Sequence, residues 1–388
     1  MWRILALAVP LLALVALACD QEAEEETAVA SPNESPAIAA VDSPTPSPEP
    51  TVSAAPEPRL LTSVALKAGA PSSVAVNPDT SRIYVAYSDI DILSVIDADT
   101  YEISATLDLP AGALHTVAVN PATNKVYVTN GGNGTISVID GDTHDITKSL
   151  NVPTRSDLFR QSHIHVNPAT NRIYVSRGID YIDRGMTVID GETDAVIGHV
   201  KLDGAAWKMS DDPSTNDLYT IIEYSAQNLT LCPEFPPRVL VLIDTSDNSL
   251  SECLDFGYYP LAVGVSPDGS RLYYWSNSWR TDLNESVTVL TVVEISTGRA
   301  LTTIEYPAFT AKDVIVGPAT GRVYVMADDS RDCCTLGRSG QLVALDGDNR
   351  SIAWSVPFDS GPIAFTADFD AGRFYVLTAD RTLHVIEE

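Results

Sequence analysis

The sequence predicts an all-β fold, a seven-bladed β-propeller with four strands in each blade. Three observations predict it. A short motif recurs seven times between residues 59 and 388, at intervals of 43 to 54 residues. Each copy has room for four short strands, which is typical of a propeller blade. The last copy lacks its fourth strand, and the segment that precedes the first copy has the pattern of one.

The repeated unit opens with a turn that usually contains proline. Its copies lie at Asn77-Pro78, Asn120-Pro121, Asn167-Pro168, Asp212-Pro213, Ser266-Pro267, Gly317-Pro318 and, in degenerate form, Thr366-Ala367. A strand with a central tyrosine follows each turn, at Tyr84, Tyr127, Tyr174, Tyr219, Tyr273, Tyr324 and Tyr375. A third strand then ends in an acidic residue in most copies, and a second turn leads to the fourth strand.

The two ends of the repeat region are predicted to meet. The seventh copy stops at Glu388 after its third strand, whereas LLTSVALKAG, Leu60 to Gly69, matches the fourth-strand pattern of ISATLDLPAG. We therefore expect this N-terminal strand to complete the last blade, which removes the exposed sheet edges of an open array. A solenoid is the alternative, and it would need polar caps at both ends.

The second copy resembles a known repeat. Its sequence NKVYVTNGGNGTISVIDG, Asn124 to Gly141, is similar to the YVTN family of β-propeller repeats, found in bacterial secreted proteins and archaeal surface-layer proteins. The literal motif occurs once, at Tyr127 to Asn130, while the other copies keep only the strand pattern. The resemblance implies the propeller fold but no single function, because related scaffolds serve as binding platforms, adhesins, lactonases or quinone-dependent dehydrogenases.

Residues 1–18 are predicted to be a signal peptide, since Arg3 precedes an apolar run from Ile4 to Leu17. The run ends in ALAC at Cys19, which resembles the lipobox of bacterial lipoproteins and implies lipidation of Cys19. Leu17 stands where that pattern usually has a small residue, so an ordinary cleaved signal peptide is the alternative. If Cys19→Ala left the partition of the protein into detergent unchanged, the lipoprotein hypothesis would be wrong.

Residues 19–58 are predicted to be a disordered tether. From Asp20 to Pro58 the chain has nine acidic residues, eight prolines and no lysine or arginine. Such a segment has too little apolar surface to fold. A tether needs an anchored end, so we expect an extracytoplasmic lipoprotein, held to the membrane at the cell surface or in the periplasm through its lipid only.

The charge of the chain limits its partners. The formal net charge is −28 and the isoelectric point is about 4.3. Such a surface repels phosphate backbones and anionic lipids. We therefore expect no nucleic-acid partner, and we expect a monomer.

The two faces of the predicted propeller differ. On one face the turns are short and uniform, as in NPDTSR and DGDTHD. On the other, which we call the long-loop face, copies three to six insert long segments between their second and third strands. Loops on a rigid scaffold often carry function, although long loops also pack on one another without any role. The candidate ligand-binding residues of these segments are Tyr181, Asp183, Trp275, Trp279, Arg280, Asp329 and Arg331.

Four cysteines lie in these segments or close to them. Cys232 and Cys253 belong to one copy and fall on the same face, so an exported protein favours a disulfide between them. Cys333 and Cys334 are adjacent. They are candidates for a vicinal disulfide; pairing between the two loops and free thiols remain alternatives. No histidine lies near them in the sequence, so zinc is poorly supported.

The first strands are expected to line a central channel. His163 and His165 occupy equivalent positions to Ser73 and Ala75 of the first copy, and Lys208, Ser210 and Asp313 fall at corresponding positions in other copies. The simplest interpretation is a solvated, hydrogen-bonded lining. His163, His165, Lys208 and Asp313 are nevertheless candidate ligand-binding residues.

The sequence contains no pattern for a nucleophile elbow, a phosphate loop or a Ser-His-Asp site, so it predicts no catalytic residue, cofactor or metal. We therefore expect a binding or scaffold protein with a protein or cell-wall glycan as its partner. The alternative is an enzyme, a lactonase-like hydrolase or an oxidoreductase, with its site at the mouth of the channel.

Overall fold

The computed structural model describes residues 57–67, 69–112, 115–152, 163–176, 185–223, 232, 238–254, 259–280, 285–306, 310–328, 339–346 and 350–388. The predicted signal peptide, the lipidation site at Cys19 and almost all of the predicted tether lie outside this part of the chain. Within it, no helix has both the length and the apolar character that are needed to span a membrane.

The described residues form seven four-stranded antiparallel sheets, which confirms the predicted seven-bladed propeller. Blade 1 contains β2 (Pro71–Asn77), β3 (Arg82–Tyr87), β4 (Ile92–Asp97) and β5 (Ile103–Asp108). Blade 2 contains β6 (His115–Asn120), β7 (Lys125–Asn130), β8 (Thr135–Asp140) and β9 (Ile146–Asn151). Blade 3 contains β10 (Ile164–Asn167), β11 (Arg172–Ser176), β12 (Gly185–Asp190) and β13 (Ala195–Lys201). Blade 4 contains β14 (Ala205–Asp211), β15 (Leu218–Glu223), β16 (Arg238–Asp244) and β17 (Ser249–Leu254).

The remaining blades repeat this order. Blade 5 contains β18 (Tyr259–Val265), β19 (Arg271–Arg280), β20 (Glu285–Glu294) and β21 (Arg299–Tyr306). Blade 6 contains β22 (Thr310–Val316), β23 (Val323–Asp328), β24 (Gly340–Leu345) and β25 (Ile352–Phe358). Blade 7 contains β26 (Pro362–Asp368), β27 (Arg373–Thr378) and β28 (Thr382–Glu387), and its outer strand is β1 (Arg59–Ala65).

Blade 7 is closed by the N-terminal strand, as the sequence predicts. β1 pairs antiparallel with β28, from Arg59 opposite Glu387 to Ala65 opposite Thr382. Leu61, Val64 and Leu66 pack against the hydrophobic cluster that joins blades 7 and 1. The ring is therefore closed, and the solenoid alternative is wrong.

The core lies between the blades. Each second strand is buried on both faces, because its sheet is packed between two neighbouring sheets; Ile83 to Tyr87 of β3, for example, are all 0% exposed. The outer strand β5 instead alternates between exposed and half-buried residues. The clusters combine residues of adjacent blades, such as Leu93 of blade 1 with Val117 of blade 2. Blade-to-blade packing thus supplies most of the buried apolar surface.

The repeated turn has a fixed geometry. Asn77 accepts a hydrogen bond from the backbone N–H of Asp79, and Ser81 then adopts a left-handed conformation with φ of 51°. In blade 7, Asp368 accepts the equivalent bond from Asp370 and pairs with Arg373, as Asn77 pairs with Arg82. The turn of blade 7 therefore begins at Asp368, two residues after the predicted Thr366, because Phe369 replaces the proline that marks the other copies.

In several blades, a lysine or arginine side chain donates a hydrogen bond to the next blade. Two residues before the second-strand tyrosine, six of the seven blades carry lysine or arginine: Arg82, Lys125, Arg172, Arg271, Arg322 and Arg373. Lys125 donates to the backbone carbonyl of Gly191 at 3.1 Å and Arg373 to that of Ala98 at 3.0 Å. In both cases the acceptor follows the third strand of the next blade, and Arg172 makes the same contact with Thr245.

We expect deletion of Leu61 to Leu66 to lower the free energy of unfolding by more than about 4 kcal/mol, because it removes the outer strand of blade 7 and exposes β28. Leu60→Ser is the control, since this side chain is 50% exposed, and it should change the stability by less than about 0.5 kcal/mol. Chemical denaturation measures both. A deletion variant as stable as wild type would contradict the closure of the ring by β1.

Candidate functional site

The first strands of all seven blades surround a central channel with a cavity of about 750 Å³. Because the blades repeat one plan, each position on the channel wall occurs seven times and the repeat provides its own comparison. Four residues before the turn, the blades carry Ser73, Thr116, His163, Lys208, Ala262, Asp313 and Ala364. Two residues before the turn, they carry Ala75, Ala118, His165, Ser210, Gly264, Ile315 and Thr366.

Ionisable side chains at these positions occur only in blades 3, 4 and 6. Small residues fill the same positions in blades 1, 2, 5 and 7, where the strands form equally well. The fold itself therefore does not require His163, His165, Lys208 or Asp313. Residues that break the pattern of a repeat without a structural need are candidates for function.

His165 is fixed by an acidic residue of the next blade. His165 Nε2 lies 2.9 Å from Asp211 Oδ2, and Asn167 Nδ2 donates to Asp211 Oδ1 at 2.8 Å. Burial lowers the pKa of His165, but the charge of Asp211 and the hydrogen bond to it outweigh burial, so the pKa is raised above its usual value. The pair forms a hydrogen-bonded dyad on the channel wall.

Asp211 is a site residue that the sequence analysis missed. It lies directly before the turn of blade 4, where the other six blades have Val76, Val119, Val166, Val265, Val316 and Ala367. The signal was an aspartate in a column of small apolar residues. This column lies between the alternate positions of the first strand, which carry His163 and His165.

Lys208 and Asp313 form an ion pair between blades that are not neighbours. Lys208 Nζ of blade 4 lies 2.7 Å from Asp313 Oδ2 of blade 6, and each side chain is exposed to about a quarter to a third, at 26% and 30%. Blade 5, which lies between them, has Ala262 and Gly264 at the equivalent positions. These small residues leave the space in front of blade 5 to the lysine side chain.

His163 is uncharged at neutral pH. Its ring centroid lies 5.4 Å from that of Trp207, and its Nε2 is buried and has no hydrogen-bond partner among the described residues. Burial, together with the positive charge of Lys208, lowers the pKa of His163 to about 3. A group with this pKa is a weak base, so His163 is better suited to hydrogen bonding than to proton abstraction.

On the long-loop face, the structure confirms one disulfide. Cys232 and Cys253 are bonded, with their Cα atoms 6.2 Å apart. Cys253 lies in β17 and Cys232 in the connection between β15 and β16, so the bond ties this connection to the outer strand of its own blade. Cys333 and Cys334 lie outside the described residues, and their pairing stays a prediction.

Trp275 is a core residue, so its assignment to an exposed binding loop is wrong. Its side chain is 0% exposed and its ring lies 5.3 Å from that of Tyr306. The reason is that the inserted segment of blade 5 lengthens β19 and β20 to ten residues each, with Trp279 paired to Ser286. Trp275 thus lies inside a strand, and Trp279 and Arg280 lie at the end of that strand.

The other predicted residues of the long-loop face lie outside the described part of the chain. They are Tyr181, Asp183, Asp329 and Arg331. Their role as ligand-binding residues stays a prediction.

A cluster that the sequence analysis did not select lies where blades 4 and 5 meet on the long-loop face. The guanidinium carbon of Arg238 lies 4.4 Å from the ring centroid of Tyr259 and 5.3 Å from that of Trp207. Arg238 also donates to Glu223 Oε2 at 2.7 Å and to the carbonyl of Pro260 at 3.3 Å. Tyr259 is 41% exposed, and no other Phe, Tyr or Trp side chain whose burial the structure describes is exposed to that extent.

The sequence held only a weak signal for this cluster. Arg238 begins the third strand of blade 4, where other blades begin with residues such as Ile92, Thr135 and Thr382. Tyr259 begins the first strand of blade 5, where the same strand begins with Ala205 in blade 4 and with Thr310 in blade 6. Only the fold brings Arg238 and Tyr259 together.

Comparison of the chain with protein-family models finds no match, and comparison with curated protein sequences finds none either. The resemblance to the YVTN family therefore stays a prediction from residues 124–141. Within the described ranges, no group of three or more His, Cys, Asp or Glu side chains is placed to hold a metal ion.

We expect His163 to make the protein less stable as the pH falls. Its pKa is about 3 in the folded protein but near 6.5 when unfolded, so protons bind preferentially to the unfolded chain. Between pH 6.5 and pH 5 this histidine should cost up to about 2 kcal/mol of unfolding free energy. His165 acts oppositely: its raised pKa gives stability that is complete below its unfolded pKa and is lost as the pH rises through its folded pKa.

Denaturation of wild type and His163→Asn at pH 5 and pH 6.5 measures this difference. The variant should lose less stability than wild type over this interval, by up to about 2 kcal/mol. The control is His199→Asn, since His199 is exposed on an outer strand. Identical pH dependence in wild type and His163→Asn would show that His163 is not held uncharged.

Proposed function

We propose that the protein is an extracytoplasmic binding or scaffold protein that recognises its partner with the long-loop face of the propeller. The observation that carries this proposal is the exposed ring of Tyr259, held in place by Arg238. An exposed aromatic side chain in a fixed position is the kind of residue that dominates binding energy at protein interfaces.

Several contacts support a preorganised surface around Tyr259. Arg238 is held by Glu223, by the carbonyl of Pro260 and by the ring of Trp207. In the same blade, the disulfide from Cys232 to Cys253 restrains the connection between β15 and β16. A surface that is already ordered loses less conformational entropy when it binds.

The partner we propose is a protein or a cell-wall glycan. The net charge of −28 disfavours polyanions such as nucleic acids. Export and a lipid anchor at Cys19 belong to the same proposal, because they would place the long-loop face where such partners occur. The disulfide supports an oxidising environment.

We expect Tyr259→Ala and Trp279→Ala each to weaken partner binding by about 1–3 kcal/mol, as aromatic hot spots do. Tyr259→Phe is the matched control, because it keeps the ring over Arg238 and should retain most of the affinity. Pull-downs from cell-envelope extract and glycan arrays, run with each variant, provide the measurement.

Asp142→Ala provides a control on the opposite face, where Asp142 is exposed. Asn124 is unsuitable there, because it accepts a hydrogen bond from Asn77 at 2.9 Å and has φ of 48°. Binding that is equal in wild type, Tyr259→Ala, Trp279→Ala and Asp142→Ala would remove the role assigned to the long-loop face.

The second candidate function is an enzyme, a hydrolase or oxidoreductase with its site in the channel. The dyad of His165 and Asp211 favours it, since an imidazole oriented by a carboxylate is a common general base. His165→Gln separates the two candidates. An enzyme would lose turnover with little change in affinity for its substrate, whereas a binding protein has no turnover to lose.

A further inference from the structure

We propose that the central channel is a binding site for a short, uncharged saccharide. This inference rests on the proposed function, since it identifies the partner as a glycan and gives its terminal sugars a place to bind. The cavity of about 750 Å³ falls within the range of about 300–1,000 Å³ that is typical of small-molecule sites. A protein partner would not enter a space of this size.

The charges on the channel wall favour an uncharged ligand. Lys208 is paired with Asp313 at 2.7 Å, and His165 with Asp211 at 2.9 Å. An anion or a cation entering the channel would compete with one member of a pair and leave its partner without a counter-charge, which is costly in a confined space. His163, the other histidine of the wall, is uncharged.

The polar groups of the wall suit hydroxyl groups. A neutral imidazole offers one donor and one acceptor, and the buried Nε2 of His163 has no partner among the described residues. Across the channel, Ser73, Thr116 and Thr366 line the same cavity, and the hydroxyls of Ser73 and Thr116 are already hydrogen-bonded to Val117 and Thr129. A sugar hydroxyl both donates and accepts, so a molecule with several hydroxyls can bond to His163 and lie against this polar wall without any net charge.

Aromatic side chains complete the wall. Trp207, Phe365 and Phe369 line the cavity together with the polar groups. A saccharide presents apolar C–H groups on the faces of its ring and hydroxyls around the edge. It therefore matches a wall that has aromatic rings beside paired charges and hydroxyls. A zwitterionic amino acid, to use its charges here, would have to separate Lys208 from Asp313.

Ligand-observed NMR and calorimetry test the proposal with probes of similar size and different charge. The uncharged probes are glucose, N-acetylglucosamine and cellobiose; glucuronate is the anion, glucosamine the cation and alanine the zwitterion. We expect at least one uncharged sugar to bind at least ten-fold more tightly than each charged probe. Tighter binding of glucuronate, glucosamine or alanine would overturn the ligand class.

Two variants place the site in the channel. Thr366→Phe fills the cavity and leaves the ion pairs intact, and Lys208→Met removes one ion pair. Each should weaken binding of the sugar at least ten-fold, while Lys201→Met, an exposed lysine of β13, should leave it unchanged. Melting temperatures confirm that the variants are folded. Equal binding of the sugar by Thr366→Phe and wild type would overturn the channel as the site.

Tyr259→Ala separates this inference from the proposed function. It should leave sugar affinity within two-fold of wild type while it weakens capture of the whole partner. If no uncharged sugar binds wild type, the inference is overturned, and the proposed function still stands or falls with the pull-downs. Sugars could bind while Tyr259→Ala and Trp279→Ala capture the partner as wild type does. In that case the binding role proposed for the long-loop face is wrong, and the sugar site in the channel still stands.

Discussion

The packing of neighbouring sheets against each other is the constraint on which the ring depends, because each hydrophobic cluster combines residues of two adjacent blades. At three junctions a lysine or arginine adds a hydrogen bond to the turn of the next blade, from Lys125, Arg172 and Arg373. A hydrogen bond from a charged group contributes about 1.5–3 kcal/mol. Arg373 of blade 7 donates to Ala98 of blade 1 and so links the last blade to the first. Between blades 6 and 7 the side chain of Glu388 provides the acceptor, for Arg322 and for Trp354 Nε1 at 3.1 Å. Each blade must therefore present the same shape to both neighbours.

This constraint divides the residues into two kinds. Positions that hold blades together repeat, as the second-strand tyrosines and the turns do. Positions on the channel wall and on the long-loop face are free to differ, because no neighbouring blade packs on all of them. His163, Lys208 and Asp313 interrupt rows of small residues in this way. Ion pairs that are partly withdrawn from water, as Lys208 and Asp313 are, are often no more stabilising than apolar residues of similar volume, so stability alone does not explain their presence.

Repetition also explains how much could be predicted. The number of blades, the closing strand, the channel residues and the disulfide of Cys232 followed from aligning the copies with one another. Trp275 was wrongly assigned to a loop because an insertion can lengthen a hairpin instead of forming a loop. The amino-acid sequence alone does not distinguish these two outcomes. Tyr259 and Arg238 were missed because they lie 21 residues apart on different blades, and they meet only through tertiary packing. Asp211 was visible in its column of valines and was overlooked.

The ionisable groups of the channel are additions to a scaffold that does not need their charges. One chain that carries His163→Thr, His165→Ala, Lys208→Ser, Asp211→Asn and Asp313→Ala tests this, with its melting temperature measured by calorimetry. We expect a melting temperature equal to or above that of wild type. Four of the replacements occur at the same position in another blade, Asp211→Asn keeps an oxygen that can accept from Asn167, and no charge is left unpaired. A chain that fails to fold, or that melts well below wild type, would show instead that these charges hold the propeller together.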